Sequence, residues 1–470
     1  MGINVFWGAG RIGRAMCEIW ESFGIKPDFI FDNNEALEGT LCNGIPISGK
    51  EDIKKLDNPQ IFITCKCMEG IYRQLHDEYG FTNIIKGNNV RDMVSFLLCN
   101  GMAKLAEIPH KNGKKYDVLW DLENGMVLGG VESWTMESAK VLDGIGYVSK
   151  YLSTDFIQDT ITDEVISSIC IPYVQSGYVN GLSICYNEIL ENAPCTVICN
   201  FAGLNTFAAC AAKRARGNEI RVIAVVHNDE MDYYNRYVQW EDCIDCCIVI
   251  SSRMKKKLME QGMRESKISC LNWQVACKKH LERAWSKDGE WLRIGYAGRV
   301  TVTQKRSDML PELAAKLKKK GICFRLNIAG TGDYSESLQQ RMQEEGLQEC
   351  MVMVGYIDRE HIPDFWEQQD IMINCSEWEG HSISQTEAMA AGAVPVITDV
   401  SGARDDVTDG YNGFIVDVGD IDAIVDRISS LYSNRCRLEQ MGMHAHDTVY
   451  KRQENMDQAK FWNSLLGCIQ

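Results

Sequence analysis

Short apolar runs that end in glycine recur along this chain, and they narrow its possible folds more than any other feature. Ile3–Trp7 runs into Gly8-Ala9-Gly10-Arg11-Ile12-Gly13, and Tyr116–Leu122 is followed by Gly125 and Gly129-Gly130. Leu292–Ala297 runs into Gly298-Arg299, and Phe324–Ala329 into Gly330-Thr331-Gly332. A short apolar run of this kind reads as a buried strand, and glycine lets the backbone turn sharply into the segment behind it. Strands that alternate with helical patterns imply parallel, helix-covered sheets, so the expected class is α/β.

The units group into three blocks. Residues 1–110 open with the Gly8 motif, continue through strand Asp28–Phe31, and add a strand at Gln60–Cys65. Residues 116–285 add strands at Thr196–Asn200, Ile220–Val226 and Cys246–Ile250, and residues 291–450 add Met351–Gly355, Ile371–Asn374 and Val394–Thr398. The polar stretches Lys111–Lys115 and Trp285–Glu290 are the expected linkers, and Tyr450–Leu466 reads as a helical tail, giving a final segment 451–470. A length of 470 residues suits this division, at roughly 100–200 residues per domain.

Composition removes several classes of function. With 65 acidic against 49 basic residues the net charge is −16, which excludes a broad nucleic-acid-binding face but leaves room for a small cationic pocket. The first ten residues carry no cationic segment of a secretion signal, and Val165–Asn187 and Asn192–Ala212 are too polar for spanning helices. The 20 cysteines are scattered and often sit in apolar runs, such as Cys65, Cys199 and Cys375, so they read as reduced core residues of a cytoplasmic protein. Cys243-Ile-Asp-Cys246 has no second pair at zinc spacing, so no metal is expected. The run Lys255-Lys256-Lys257 after Arg253 reads as a solvated helix face, with weak contact to the inner face of the membrane as a second reading.

Two motifs carry chemistry. Gly8, Gly10 and Gly13 follow a strand, and Asp32 ends the next one, 24 positions after Gly8. Glycines admit a pyrophosphate to a helix N-terminus and the acid can hold ribose hydroxyls, so these four are nucleotide-binding candidates. A glycine turn needed only for packing is the alternative. No hydride-transfer residues accompany the motif, which weighs against a nicotinamide-dependent oxidoreductase.

In the third block, Glu379 and Glu387 enclose Gly380-His381-Ser382-Ile383-Ser384-Gln385-Thr386. Read as helix, eight steps rise about 12 Å, similar to the separation of a sugar from a ribose across a diphosphate. The amides of Gly380–Ile383 would then face the phosphates, and the carboxylates would accept bonds from hydroxyls. Arg299 and Lys305, at the end of a strand, could clamp a diphosphate without metal. Solvated glutamates and ordinary surface bases are the bland alternative.

With Gly129-Gly130-Val131-Glu132, Val226-His227, Ala297-Gly298-Arg299, Lys305, Gly330-Thr331-Gly332, Ser376–Gly392, Val394–Ile397 and Gly410–Gly413, residues 116–470 resemble the retaining glycosyltransferases of glycosyltransferase family 4. The resemblance implies a GT-B pair of Rossmann-like domains, acceptor side at 116–285 and donor side at 291–450, with a crossover helix at 451–470 and an additional N-terminal Rossmann-like domain. It implies Glu379 near the donor sugar, Glu387 on the ribose, Arg299 and Lys305 on the diphosphate, and His227 at the sugar side. Gly129, Gly130, Gly298, Gly380, His381, Ser382 and Ile383 would line the donor. His381 departs from the family's usual apolar residue, and Asn272-Trp273-Gln274-Val275 departs from its Asn-Gly-Val-Asp turn.

Block 1–110 resembles the nucleotide-sugar-binding Rossmann domain of bacillosamine-type sugar acetyltransferases, including Asn43–Ile47 (Asn-Gly-Ile-Pro-Ile). The implied activity is metal-independent, retaining transfer of a sugar from a nucleotide-diphosphate sugar, with no cofactor required, to a glycan, lipid-linked or small-molecule hydroxyl acceptor in cell-surface glycan synthesis. An epimerase or phosphorylase on the same fold, or a non-catalytic nucleotide-sugar sensor, are the alternatives.

Overall fold

The structure is a computed structural model that describes residues 2–108, 115–125, 129–157, 168–272 and 274–467. Expectations placed on Lys111–Lys114, Met126–Leu128 and Trp273 lie outside the described residues. The chain divides into two compact units, residues 1–225 with 235–246, and residues 226–234 with 247–468.

The first unit begins with β1 (Asn4–Trp7), β2 (Phe29–Asp32), β3 (Leu41–Cys42), β4 (Ile45–Gly49), β5 (Gln60–Ile63) and β6 (Ile84–Lys86), ordered β3-β4-β2-β1-β5-β6. All neighbours are parallel except β3 and β4. Those two form a hairpin closed by Asn43 and Gly44 at φ 48° and 79°, the left-handed pair that a two-residue turn demands. The Asn43–Ile47 stretch is therefore explained locally, by turn chemistry. Helix Arg11–Ser22 buries Met16, Cys17, Ile19 and Trp20. Trp20 meets Phe6 and Phe62 edge-on, with centroids 4.9 and 5.2 Å apart.

The same unit carries β7 (Val118–Leu122), β8 (Ser149–Thr154), β9 (Ser168–Ile171), β10 (Cys195–Cys199) and β11 (Ile220–Val226), parallel in the order β11-β10-β7-β8-β9. Helix Val90–Cys99 joins this layer to the first. Arg91 Nε donates to Glu123 at 2.9 Å, Arg236 Nε to Asp92 at 2.7 Å, and the Trp240 indole to Ser95 at 2.9 Å.

The second unit contains the parallel pair β12 (Cys246–Val249) and β13 (Ile268–Cys270). Its main sheet is β14 (Leu292–Ala297), β15 (Phe324–Ala329), β16 (Met351–Gly355), β17 (Ile371–Asn374), β18 (Val394–Thr398) and β19 (Phe414–Val416), all parallel and ordered β16-β15-β14-β17-β18-β19. One core holds Leu292, Ile294, Leu313 and Ile424, and another holds Trp366, Met389 and Val449. The single tail helix expected at Tyr450–Leu466 is instead two: Arg435–Glu454 continues past Tyr450, and Gln458–Leu466 follows a break. Asp457 caps the second by accepting from the amide of Lys460, so a local cap outweighs the continuous helical pattern. Among the described residues, no helix is long and apolar enough to cross a membrane.

Candidate active site

In the main sheet of the second unit, β14 lies between β15 and β17. The connections from these strands leave in opposite directions, so their C-terminal ends open a crevice. Gly298 and Arg299 follow β14, Gly330–Gly332 follow β15, and Ser376–Ser382 follow β17. The glycines let the first two loops touch: a Cβ at Gly330, where φ is 128°, would lie 1.9 Å from the carbonyl oxygen of Gly298.

This crevice gathers Arg299, Lys305 and Glu379. Arg299 is exposed, and its Nη2 donates to Gln304 Oε1 at 2.6 Å. Among the described residues no carboxylate pairs with Arg299. Its carbonyl accepts from the Tyr296 hydroxyl at 2.6 Å. Gln304 ties the loops together, donating to the Trp378 carbonyl at 3.2 Å while its own carbonyl accepts from the Glu377 amide at 2.8 Å. Lys305 Nζ bonds Glu379 Oε1, and the Ser376 hydroxyl donates to that same oxygen at 2.7 Å. Gln304 and Ser376 escape a sequence reading, because only the fold brings them to the charged groups.

The segment between the glutamates differs from expectation. Helix begins at Ile383, with Ser382 as its cap, and runs to Ala390. Glu379–Ser382 is loop, so the separation of Glu379 from Glu387 is not eight helical steps. Gly380 is the reason: a Cβ there would lie 2.1 Å from the His227 carbonyl oxygen, a close approach that holds this loop against the His227 segment. The Ser384 hydroxyl donates to the Ala297 carbonyl at 2.8 Å and anchors the helix start beside β14. The Ser382 hydroxyl accepts from the Gln385 amide at 3.4 Å, and no acid occupies the first turn, which leaves its positive dipole end for an anion. Burial pushes the Glu387 carboxyl up to about 7, against the opposing charge of Arg359.

His227 is 8% exposed, and burial lowers its imidazole to about 3, so it is neutral at physiological pH. The loop behind it is held by Asp229, which accepts from Tyr234 at 2.7 Å and Lys257 at 2.6 Å and also bonds Ser401. The His381 side chain has a buried partner. Its Nε2 lies 3.0 Å from Asp406 Oδ2, and both side chains are 1% exposed. Burial would raise the Asp406 carboxyl, but the charges of His381 and Arg452 and the bond from Thr386 hold it below its ordinary value. An imidazole committed to that pair leaves only the backbone of residue 381 beside the crevice.

The remaining candidates belong to the first unit. Gly129 precedes helix Gly130–Gly144. Gly8, Gly10, Gly13 and Asp32 meet where β1 lies between β2 and β5, another reversal of strand order. Gly13 is required by packing, since a Cβ would lie 1.9 Å from the Gly8 carbonyl oxygen, whereas one at Gly10 would meet nothing within 4 Å. Asp32 accepts from the amides of Ala9 at 2.7 Å and Asn34 at 2.8 Å, which ties the glycine loop to β2.

A buried polar cluster that the sequence did not reveal stands at the ends of β7 and β10. Asp121 accepts from the Asn205 amide at 2.9 Å, and Glu123, also buried, pairs with Arg91. Burial and mutual repulsion raise the Asp121 carboxyl, and burial raises that of Glu123 against the charge of Arg91. The basic run is neutralised by its own neighbours: Arg253 pairs with Asp399, Lys255 with Glu265, Lys256 with Glu260 and Lys257 with Asp229. Among the described residues the cysteines are free thiols, and no group of three His, Cys, Asp or Glu side chains is placed to hold a metal.

Comparison with known proteins places this crevice in context. Residues 278–448 match the family described as Glycosyl transferases group 1. A Staphylococcus aureus poly(ribitol-phosphate) alpha-N-acetylglucosaminyltransferase is 24% identical over 177 residues, 37% of this chain and 35% of its own length. An Escherichia coli lipopolysaccharide 1,6-galactosyltransferase is 27% identical over 285 residues, 58% of this chain and 74% of its own. The Anabaena protein HepE, solved in complex with UDP and glucose, superposes with a TM-score of 0.61 at 15% identity, covering 76% of this chain and 99% of its own. That likeness shows the fold, which is GT-B.

Proposed function

We propose that this chain, whose residues 278–448 form a glycosyl transferases group 1 domain on a GT-B fold, moves a sugar from a nucleotide-diphosphate sugar to a hydroxyl acceptor in cell-surface glycan synthesis. The observation that carries this reading is the convergence of Arg299, Lys305, Glu379 and an acid-free helix start on the crevice beside β14. Breaking the glycosidic bond puts negative charge on the departing diphosphate. Arg299, which no carboxylate neutralises among the described residues, meets that charge together with Lys305 and the amides at the start of helix Ile383–Ala390.

Glu379, held by Lys305 and Ser376, accepts a hydroxyl of the donor sugar, and Glu387 holds the ribose. Gly298 and Gly380–Ile383 supply backbone around the phosphates. His227, neutral, acts as a hydrogen-bonding group beside the sugar. The acceptor oxygen bonds to the anomeric carbon on the face that the diphosphate leaves and gives its proton to the departing phosphate oxygen, so configuration is retained and no metal is required. The related enzymes are named for poly(ribitol-phosphate) and for lipopolysaccharide, which supports a glycan or lipid-linked acceptor. Gly8, Gly10, Gly13 and Asp32 form a second nucleotide or nucleotide-sugar site in an acetyltransferase-like Rossmann domain spanning 1–110, with acceptor and donor domains at 116–285 and 291–450.

Arg299→Ala tests the reading. Donor turnover should fall about 100- to 1,000-fold, as when one preorganised charge-stabilising donor is lost. Unchanged turnover would overturn it.

A further inference from the structure

At the other end of the donor-side sheet lies an open cavity of about 450 Å³, lined by Trp291, Arg293, Arg325, Asn327, Gln368 and Gln369. It sits at the N-terminal ends of β14 and β15. The six residues of β14 separate it from Arg299 by about 20 Å, at about 3.3 Å per residue. It is therefore distinct from the crevice described above.

The strand register explains its lining. Arg293 pairs with Arg325, Gly295 with Asn327, and Asn327 with Val352, so alternate side chains of three strands share one face. Helix Ile362–Glu367 covers the middle of this face, where a Cβ at Gly295 would lie 2.7 Å from the Trp366 ring, and the residues beside it are polar or left open. The face carries arginine, asparagine and glutamine, and Val352 and Val354 on β16 stay 37% and 43% exposed. The amides are pre-set: Asn327 Nδ2 donates to Gln369 Oε1 at 2.9 Å, and Gln369 Nε2 donates to the Phe365 carbonyl at 3.0 Å. Trp291 is 46% exposed, and the Arg325 guanidinium lies 5.5 Å from its ring, which steadies the indole while its outer surface stays open.

We propose that this cavity binds an anionic oligosaccharide. An exposed indole offers a flat apolar surface to the C–H face of a sugar ring, and the Asn327 and Gln368 amides and the guanidinium groups can meet the hydroxyls around it. The volume lies within the about 300–1,000 Å³ typical of small-ligand sites. Among the described residues no carboxylate lines the cavity. Arg293 shares its charge with Asp370, at 2.6 and 3.1 Å, while Arg325 has no acid partner among the described residues and is left for a carboxylate, sulfate or phosphate on the ligand. The choice of a glycan rests on the reading of the chain as a glycan-building enzyme, whereas the cavity's charge and shape stand without it.

The test uses the full-length chain and fluorescently labelled hexagalacturonate, with labelled maltohexaose as the uncharged control, measured by fluorescence polarisation. Hexagalacturonate should bind at least tenfold more tightly than maltohexaose. Trp291→Ala and Arg325→Gln should each weaken it at least tenfold, Trp291→Phe should retain binding, and all three should hydrolyse nucleotide sugar like the parent. Arg299→Ala should bind hexagalacturonate unchanged, a result that separates this site from the catalytic reading. Failure of the parent to bind hexagalacturonate, equal binding by the Trp291 and Arg325 variants, equal preference for the two oligosaccharides, or loss of binding in Arg299→Ala would overturn the proposal.

Discussion

Burial gives Glu387 a cost that depends on pH. Its carboxyl, pushed up to about 7 by burial, binds a proton more tightly in the folded chain than in the unfolded one. Its contribution to stability is therefore fully present below the ordinary carboxylate value of 4.5 and is lost as pH rises through 7. At 1.36 kcal/mol per pKa unit the loss is about 3 kcal/mol. Glu387→Gln should melt higher than the parent at pH 8 and no higher at pH 4, in thermal scans at both values. A parent more stable than the variant at pH 8 would contradict the assignment. His227 makes a separate prediction. With its imidazole lowered to about 3, it has no charge to lose between pH 5 and 8, so His227→Asn should lower donor turnover without changing the shape of the pH profile over that range. Disappearance of an ionisation near neutrality in the variant would show that the residue titrates.

Turns decide where the site residues stand. Gly330 and Gly298 touch so closely that Gly330→Ala forces the loop bearing Arg299 to move, with strain added at a φ of 128°. Overpacking of this kind costs about 1–3 kcal/mol, and the displaced arginine should lose at least tenfold in donor turnover, both measurable by urea titration and steady-state kinetics. Much at this scale was readable in advance. Strand–glycine–helix punctuation foretold the parallel sheets, and Gly298-Arg299, Lys305 and Glu379 stand out as candidates because they follow strand ends. The start of the helix at Ile383 was not readable, since Gly380 is set by the His227 backbone, more than 150 positions away in sequence. The sequence carries no signal of the buried partners of Asp121, Glu123 and His381, because Asn205, Arg91 and Asp406 reach them only in the fold. Those contacts depend on tertiary placement, to which periodicity is blind.

Across the whole chain, the N-terminal sheet belongs to the same compact unit as the sheet that follows it. Helix Val90–Cys99 is the seam, and Arg91 is the cation that faces buried Glu123. Arg91→Ala leaves that carboxylate in a poorly hydrated place and should cost about 1–3 kcal/mol, read as a lower urea midpoint. The loss should shrink toward low pH, where Glu123 takes up a proton. An unchanged midpoint at pH 8 would show that the seam carries no such strain. The −16 net charge sets the background for all of this: cations are few, most face acids of their own, and Arg299 is exposed at the crevice with none among the described residues. The central claim is that this arginine serves a departing diphosphate. The most direct measurement is a panel of nucleotide sugars assayed for hydrolysis and for transfer, with the parent chain and Arg299→Ala side by side. At least one donor should be turned over by the parent and the variant should fall about 100-fold or more on that donor; equal turnover by both, or turnover of no donor by the parent, would contradict the account.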